Sequence, residues 1–406
     1  MSLFKDRLEA FPRIEPYRMA KAEHLWPYYK VVESAATPKF TIEGREVTNF
    51  GSNNYLSLSY HPEVIAAAQA ATAKYGTGVT GSRLLNGTLP LHRDLETELA
   101  DFYGTQAALV FSTGYVANLC GVAGFLGRSD YAVVDKEAHN SLVTAIRLSG
   151  ARLKRFRHND ADQVASILAD LPEGAVKGVI VDGVYSMRGD TAPLTEIVEA
   201  VANTPNAFVF DDEAHGLGVL GEQGRGAGEL FGLLDEIDIT TITFSKALGS
   251  CGGAVLGSAE AIELLTITAE PFIFTASNVP ASMAAALAAL RILRAEPERP
   301  RRLRANVAHL IGALTERGIR TNPAESAIVT IPLKHHDDVS TVFTFRDLFE
   351  LGVFCNPVIP PASHGSSGLL RLSLMADHDA DLLDDAADII CKVLTDGDQL
   401  LDPEAP

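Results

Sequence analysis

Short apolar runs alternate with helix-length segments through the middle of the chain. AALVFS (107–112), YAVVD (131–135), RLKRF (152–156), VKGVIVDGV (176–184), AFVFDD (207–212), ITTITF (239–244) and GGAVLG (252–257) are too short for helices and rich in β-branched and aromatic residues. Most are apolar without alternation, as strands covered on both faces are. The pattern predicts an α/β fold with a mostly parallel seven-stranded sheet and ligands at the carboxyl ends of its strands. Before it, residues 1–48 read as an N-terminal helical arm that leads through an extended segment into a short hairpin, and 61–75 read as a helix. TGVTGSRLLNGT (77–88) has the Gly and Thr content of irregular backbone. After about residue 278, the Ala/Leu helix PASMAAALAALRIL (280–293), a strand AIVTIPL (327–333), two further strands and a last helix read as a smaller C-terminal α+β domain. The expected division is therefore 1–48, 49–278 and 279–406.

Charge narrows the function. The chain has 52 acidic against 34 basic side chains, a formal charge of −18, which argues against nonspecific nucleic-acid binding. Four cysteines (Cys120, Cys251, Cys355, Cys391) stand singly, with neither zinc spacing nor a disulfide framework, and read as reduced core thiols. The first residues carry charges throughout, and nowhere do 18 uncharged apolar residues run together, so a cytoplasmic protein with at most peripheral membrane contact is expected.

The strand ends hold the candidate chemistry. Lys246 follows ITTITFS in a turn of small residues. Taken alone it would be a surface lysine at a strand end, but condensation with an aldehyde would relieve the cost of burying its charge and make it a cofactor anchor. Thr113, Gly114 and Tyr115 close AALVFS and open a helix, where free N–H groups suit a phosphate. His139 stands near a helix start, Ser186 and Asp190 in the loop after VKGVIVDGV, and Asp211, Asp212 and His215 after AFVF. A carboxylate at a buried strand end needs a cation or an N–H⁺ partner, and a pyridinium nitrogen is one. The run Gly216–Gly221 matches the G-x-G-x-x-G dinucleotide fingerprint, but EQGRGAG follows it where that fingerprint requires a helix.

The stretches DEAHGLGVLGEQGRG, TFSK, GVYSMRGD and HNSLVTAIRLSGA, in this order, resemble the α-oxoamine synthases, pyridoxal-phosphate enzymes that condense an amino acid with an acyl thioester and release CO₂. The resemblance runs from about residue 49 to 390. It implies a fold-type I aminotransferase-like architecture and a homodimer with sites at the subunit interface. GSRLLNGT, DFYGTQAALVFSTGYVANL, FRHND and EPFIFTASNVP are most similar to bacterial members acting on L-serine and a long-chain acyl thioester, carried by CoA or an acyl-carrier protein. The 8-amino-7-oxononanoate synthases are expected to differ at SRLLNGT.

By the same resemblance, Lys246 joins pyridoxal 5'-phosphate covalently, Asp212 pairs with its ring nitrogen, His139 stacks on the ring and His215 bonds its phenolic oxygen. Thr113, Gly114, Tyr115, Ser186, Thr243 and Ser245 line the cofactor, and Thr275 reaches the phosphate from the partner subunit. Asn53 and Arg371 face the substrate. On the residues alone, Arg371 would instead be a strand-end arginine bridged to an acid such as Asp377. There is one departure: where the serine-using relatives read ARPPATP, this chain reads IPPASHG, so Ile359 replaces a loop arginine and His364 is the nearest substitute. The basic runs 152–157 and 299–304 are candidates for the anionic acyl carrier, or merely solvated faces. A different pyridoxal-phosphate reaction, another α-oxoamine synthase, or a noncatalytic partner subunit on the same fold are the competing readings.

Overall fold

The structure, a computed structural model, describes residues 2–323, 325–359 and 368–401. A hairpin of β1 (Lys39–Ile42) and β2 (Arg45–Asn49) precedes the main sheet. The seven apolar runs become β3 (Ala107–Phe111), β4 (Tyr131–Asp135), β5 (Arg152–Phe156), β6 (Lys177–Asp182), β7 (Ala207–Asp212), β8 (Ile239–Thr243) and β9 (Gly253–Gly257). They form one sheet in the order β3-β9-β8-β7-β6-β4-β5. Five neighbouring strands run parallel; β9 is antiparallel to both β8 and β3, because the turn that joins it to β8 holds no crossover helix. β4, β6, β8 and β9 are buried at every position, as unbroken apolar runs require of strands covered on both faces.

The helix Gly114–Phe125 lies directly on this sheet. At Gly121 a Cβ would come within 2.8 Å of Phe210 Cε2 and 3.5 Å of Val255 Cγ2, so only glycine allows the approach. That approach brings Asn118, one turn earlier, down to the end of β7.

Two small sheets complete the fold, β1-β2-β11 and β10-β13-β12, where β10 is Ile328–Pro332, β11 Val353–Phe354, β12 Asn356–Pro357 and β13 Leu369–Ser373. The pairing of β2 with β11 ties the N-terminal hairpin to the C-terminal region. The helix Pro280–Ala295, expected to open the small domain, packs against the helices Pro62–Tyr75 and Pro90–Tyr103. The helix Leu3–Glu9 buries none of its residues. No described helix is long and apolar enough to cross a membrane. One expectation is corrected: Cys120 and Cys355 are buried, but Cys251 is exposed at the surface turn before β9, where the backbone has left the core.

Gly121→Val should push the helix Gly114–Phe125 off Phe210 and destabilise the protein by about 1–3 kcal/mol, the usual cost of overpacking. Chemical denaturation measures this, and an unchanged midpoint would mean that the helix has room to spare.

Candidate active site

Sheet register sets the centre of the site. Asp182 and Asp212 are cross-strand neighbours at the carboxyl ends of β6 and β7, and Asp212 in turn lies beside Thr241 in the middle of β8. Asp212 is buried, and its carboxylate accepts from Asn118 Nδ2 at 2.6 Å and from the Ala214 N–H at 2.9 Å. Asn118 is fully committed: its Oδ1 accepts from Thr241 Oγ1 at 2.7 Å, and Nδ2 donates its second hydrogen to Ser141 Oγ at 2.8 Å. Ser141 Oγ lies 2.7 Å from His139 Nδ1, to which its backbone N–H also points. With Ser141 accepting from Asn118, its hydroxyl proton goes to His139, so Nδ1 is an acceptor and the ring is a neutral Nε2–H tautomer. Burial and nearby Lys246 agree, holding the His139 imidazole below its ordinary pKa although Asp212 pulls the other way. Its backbone N–H donates to Asp182 Oδ2 at 2.9 Å. Asp182 is pushed well up, by burial first and then by facing Asp212, which favours its neutral form.

Lys246 lies just past the end of β8, half-buried in the same crevice. Burial lowers its ammonium from 10.5 to about 8, with Arg371 adding to the effect and Asp212 and Asp182 opposing it. On the far side of the sheet's end, Thr113 caps the helix Gly114–Phe125 by accepting from the Val116 N–H at 3.1 Å. The N–H groups of Gly114 and Tyr115 have no acceptor within that helix. Gly114 lies against β8 so tightly that a Cβ would fall 2.7 Å from that of Thr243. Thr243 Oγ1 is 2.8 Å from Ser245 Oγ, beside this turn. The Tyr115 ring meets His139 edge-on at 6.5 Å.

A second group gathers around β13. Arg371 on β13 is buried and donates from Nε to the Ser186 carbonyl at 2.6 Å and from a terminal nitrogen to Asn53 Oδ1 at 3.2 Å. Asn53 Oδ1 also accepts from Ser373 Oγ at 3.1 Å and lies 3.2 Å from the Tyr55 hydroxyl. That hydroxyl is 2.6 Å from His215 Nδ1. His215 is held well below its ordinary pKa by burial, then by Lys246 and Arg371, so it stays a neutral hydrogen-bonding group. Asp377 does not pair with Arg371; it holds Arg302 at 2.8 Å and the Tyr60 hydroxyl at 2.8 Å.

These residues suit pyridoxal phosphate. A carboxylate with spare lone pairs stands ready for a ring N–H⁺, an amine of lowered pKa is within its field, and unpaired N–H groups at a glycine turn offer an anion site. Thr275 stands apart, half-buried before the helix Pro280–Ala295 and without a hydrogen bond to any of the others. Ser186 contributes its carbonyl to Arg371. Ile359 is buried and its carbonyl accepts from the Tyr28 hydroxyl at 3.0 Å; His364 lies outside the described residues. Residues 216–226 form glycine turns with a bridge between Leu217 and Arg225, and no helix begins before Ala227, so the dinucleotide pattern lacks its phosphate-binding helix.

Sequence reading passed over Asn118, Ser141, Tyr55, Thr241 and Asp182. The available signal was a lone amide in the apolar run VANLCGVAGF and an acid ending VKGVIVD, both buried polar groups that need partners.

Known proteins of similar sequence and fold identify the family. Residues 45–390 match the family model of aminotransferase class I and II. A serine palmitoyltransferase of Sphingobacterium spiritivorum is 39% identical over 388 residues, covering 96% of each chain. That of Bacteroides ovatus is 40% identical over 392 residues, 97% of this chain and 98% of the relative. Among solved structures, a serine palmitoyltransferase from S. paucimobilis with bound pyridoxal phosphate and myriocin superposes with a TM-score of 0.93 at 33% identity, covering 98% of this chain and all of the other.

The lowered pKa of Lys246 has a direct consequence. Condensation of cofactor-free protein with pyridoxal phosphate needs the free amine, so its rate should climb with pH through a midpoint of about 8. A rate that rises only near the ordinary lysine value would show that the amine is not desolvated.

Proposed function

The chain belongs to the aminotransferase class I and II family and, within it, to the α-oxoamine synthases, pyridoxal-phosphate-dependent acyltransferases; on that premise we propose that it is a serine palmitoyltransferase. The net reaction joins the α-carbon of L-serine to the acyl carbonyl of a long-chain thioester. The carboxylate leaves as CO₂, the carrier thiol is released, and a 3-keto long-chain base results, 3-ketodihydrosphingosine for a palmitoyl donor. This would be the first step of sphingolipid synthesis. The observation that carries the reading is a buried guanidinium, Arg371, held by Asn53 and the Ser186 carbonyl in the crevice that Lys246 and Asp212 share.

When bound, pyridoxal phosphate supplies an electrophilic carbon and an electron sink for negative charge at the amino acid's α-carbon. Asp212, fixed by Asn118 and Ala214 N–H, keeps a proton on the ring nitrogen. Lys246 anchors the cofactor, and its Nζ, about a tenth deprotonated at pH 7 where an ordinary lysine is almost wholly charged, then takes the α-proton. His139 presents a neutral ring, and His215 with Tyr55 supplies the hydrogen bond for the phenolic oxygen. The Gly114–Tyr115 turn with Thr243 and Ser245 holds the phosphate. Arg371 takes the substrate carboxylate with Asn53 beside it, and because Ile359 brings no charge, that task falls on Arg371 among the described residues.

The acyl carrier is CoA or an acyl-carrier protein, both anionic. Arg299, Arg301, Arg302 and Arg304 are engaged within the protein, by Glu296, Glu222, Asp377 and the carbonyls of Val219 and Gly221 respectively. Lys154 and Arg155 on the edge strand β5 remain exposed. A homodimer is supported by the exposed apolar side chains of Phe274, next to Thr275, of Leu84 and Leu85 on the loop whose Gly81 carbonyl accepts from the Ser277 N–H, and of Leu3, Phe4 and Leu8 on the arm. Such a dimer would bring the partner's copy of the Thr275 loop to the phosphate. We place the enzyme in the cytoplasm, in line with the absence of a membrane-crossing helix among the described residues.

Three measurements test this. The purified protein should make a ketone product and CO₂ from serine and palmitoyl thioester, and less from glycine or alanine; turnover confined to glycine or alanine would reassign the substrate. Lys246→Ala should lose the visible cofactor band while remaining folded. Arg371→Ala should keep that band yet bind serine about 2–4 kcal/mol more weakly, roughly 30- to 1000-fold in Kd. Parent-like serine titration in Arg371→Ala would put the carboxylate elsewhere.

A further inference from the structure

Both ring nitrogens of His158 face carboxylates. Nδ1 lies 3.1 and 3.2 Å from the two oxygens of Asp135, which ends β4, and Nε2 lies 2.9 Å from Asp190 Oδ2. A neutral imidazole has one N–H and would turn a bare nitrogen on one carboxylate; only the imidazolium donates to both. The surroundings are arranged for that charge. Asp135 also accepts from the Tyr185 hydroxyl at 3.1 Å and from the N–H groups of Glu137 and Asn159 at 2.8 and 2.9 Å. Tyr185 meets the His158 ring edge-on at 4.5 Å. Further out are Asp182, which Asp135 helps to hold protonated, and the Glu137 carboxylate, flanked by Lys136 and Arg188. Burial works against the imidazolium, but the bonds to Asp135 and Asp190 outweigh it and raise the ring from 6.5 to about 9.

What His158 touches leads to the substrate side. Asp190 closes the loop that carries Ser186: its carbonyl accepts from the Tyr185 N–H at 2.9 Å, and Gly189 N–H returns to the Tyr185 carbonyl at 2.8 Å. Ser186, inside that loop, offers the carbonyl that Arg371 Nε donates to at 2.6 Å. The loop has other anchors, Ser326 Oγ on the Gly189 carbonyl and Asn322 Nδ2 on that of Arg188, so losing His158 should loosen it and not unfold it.

We propose that His158, an imidazolium clamped between Asp135 and Asp190, is a positioning residue that sets Arg371 for the amino-acid carboxylate through the 185–190 loop. The inference rests on the reading of Arg371 given above. The clamp is complete below the ordinary histidine pKa and is lost as pH rises through about 9, because the folded-state value is the raised one.

The test uses the cofactor-loaded enzyme at neutral pH, with serine affinity read from the change in cofactor absorbance. His158→Gln, whose amide cannot donate to both acids, should weaken serine by about tenfold while the cofactor band and kcat at saturating serine stay near the parent's. Asp190→Asn, with His158 in place, should keep the parent's serine affinity, since an amide can donate to the bare nitrogen of a neutral ring. Its His158 resonance, identified by its loss in His158→Gln, should titrate below the parent's midpoint of about 9. In the double variant with Arg371→Ala, His158→Gln should add nothing, because both changes act through one guanidinium. Additive losses, or parent-like serine affinity in His158→Gln, overturn this proposal alone. Parent-like affinity in Arg371→Ala overturns the carboxylate reading and this proposal with it. If His158→Gln does not fold, Asp190→Ala cuts the same link and is judged by the same double-variant comparison.

Discussion

The bond from Asn118 to Asp212 is the contact on which the rest of the crevice depends. An ionised carboxylate taken out of water costs several kcal/mol unless hydrogen bonds replace its hydration, and here one of the two donors comes from a helix that must lie close on the sheet to reach it. Gly121 permits that closeness. Thr241 orients the amide from β8, and the amide's remaining hydrogen goes to Ser141, which fixes the tautomer of His139. One side chain thus joins β7, β8 and the helices Gly114–Phe125 and Asn140–Ser149, so Asp212 and His139 are positioned together.

Strand alternation separates two acidic environments that adjoin in sequence. Asp212 faces the crevice, whereas Asp211 and Glu213 point to the other side of the sheet. There Glu213 is raised to about 7 by burial, despite accepting from the Gly228 N–H at 3.0 Å. Asp211 is pushed well up, by burial and then by Glu213. Burial thus favours the protonated forms of both acids and limits the negative charge behind the site. Two of the glycines of 216–226 are explained by the same acid: a Cβ at Gly216 or Gly226 would run into the Glu213 carboxyl group.

The hydrogen-bonded group around Arg371 is assembled from distant parts of the chain. Arg371 comes from β13, Asn53 and Tyr55 from the segment after β2, and Ser186 from the loop after β6. Tyr28, on the N-terminal arm, pins the Pro357 and Ile359 carbonyls at 2.9 and 3.0 Å, just past β12. Tyr28 thus ties the N-terminal arm to the chain around β12, where Ile359 is buried.

The sequence by itself determined the seven strands, their mostly parallel character and the residues at their carboxyl ends. Unbroken apolar runs such as YAVVD admit few other structures, and Lys246, Asp212, His139 and His215 stand out as polar groups at the limits of such runs. Tertiary structure alone decided what each of them meets. Whether Arg371 pairs with Asp377 or turns to Asn53 depends on β13 docking beside residues 318 positions away. That Asn118 holds a carboxylate depends on how closely a helix approaches a sheet. His158 reads as an ordinary loop histidine in FRHND, and it becomes a cation only because two acids, 23 positions before it and 32 after it, converge on its ring. Period and composition record which face a residue occupies; the charge state of a buried group is set by neighbours that only folding brings within 3 Å or so.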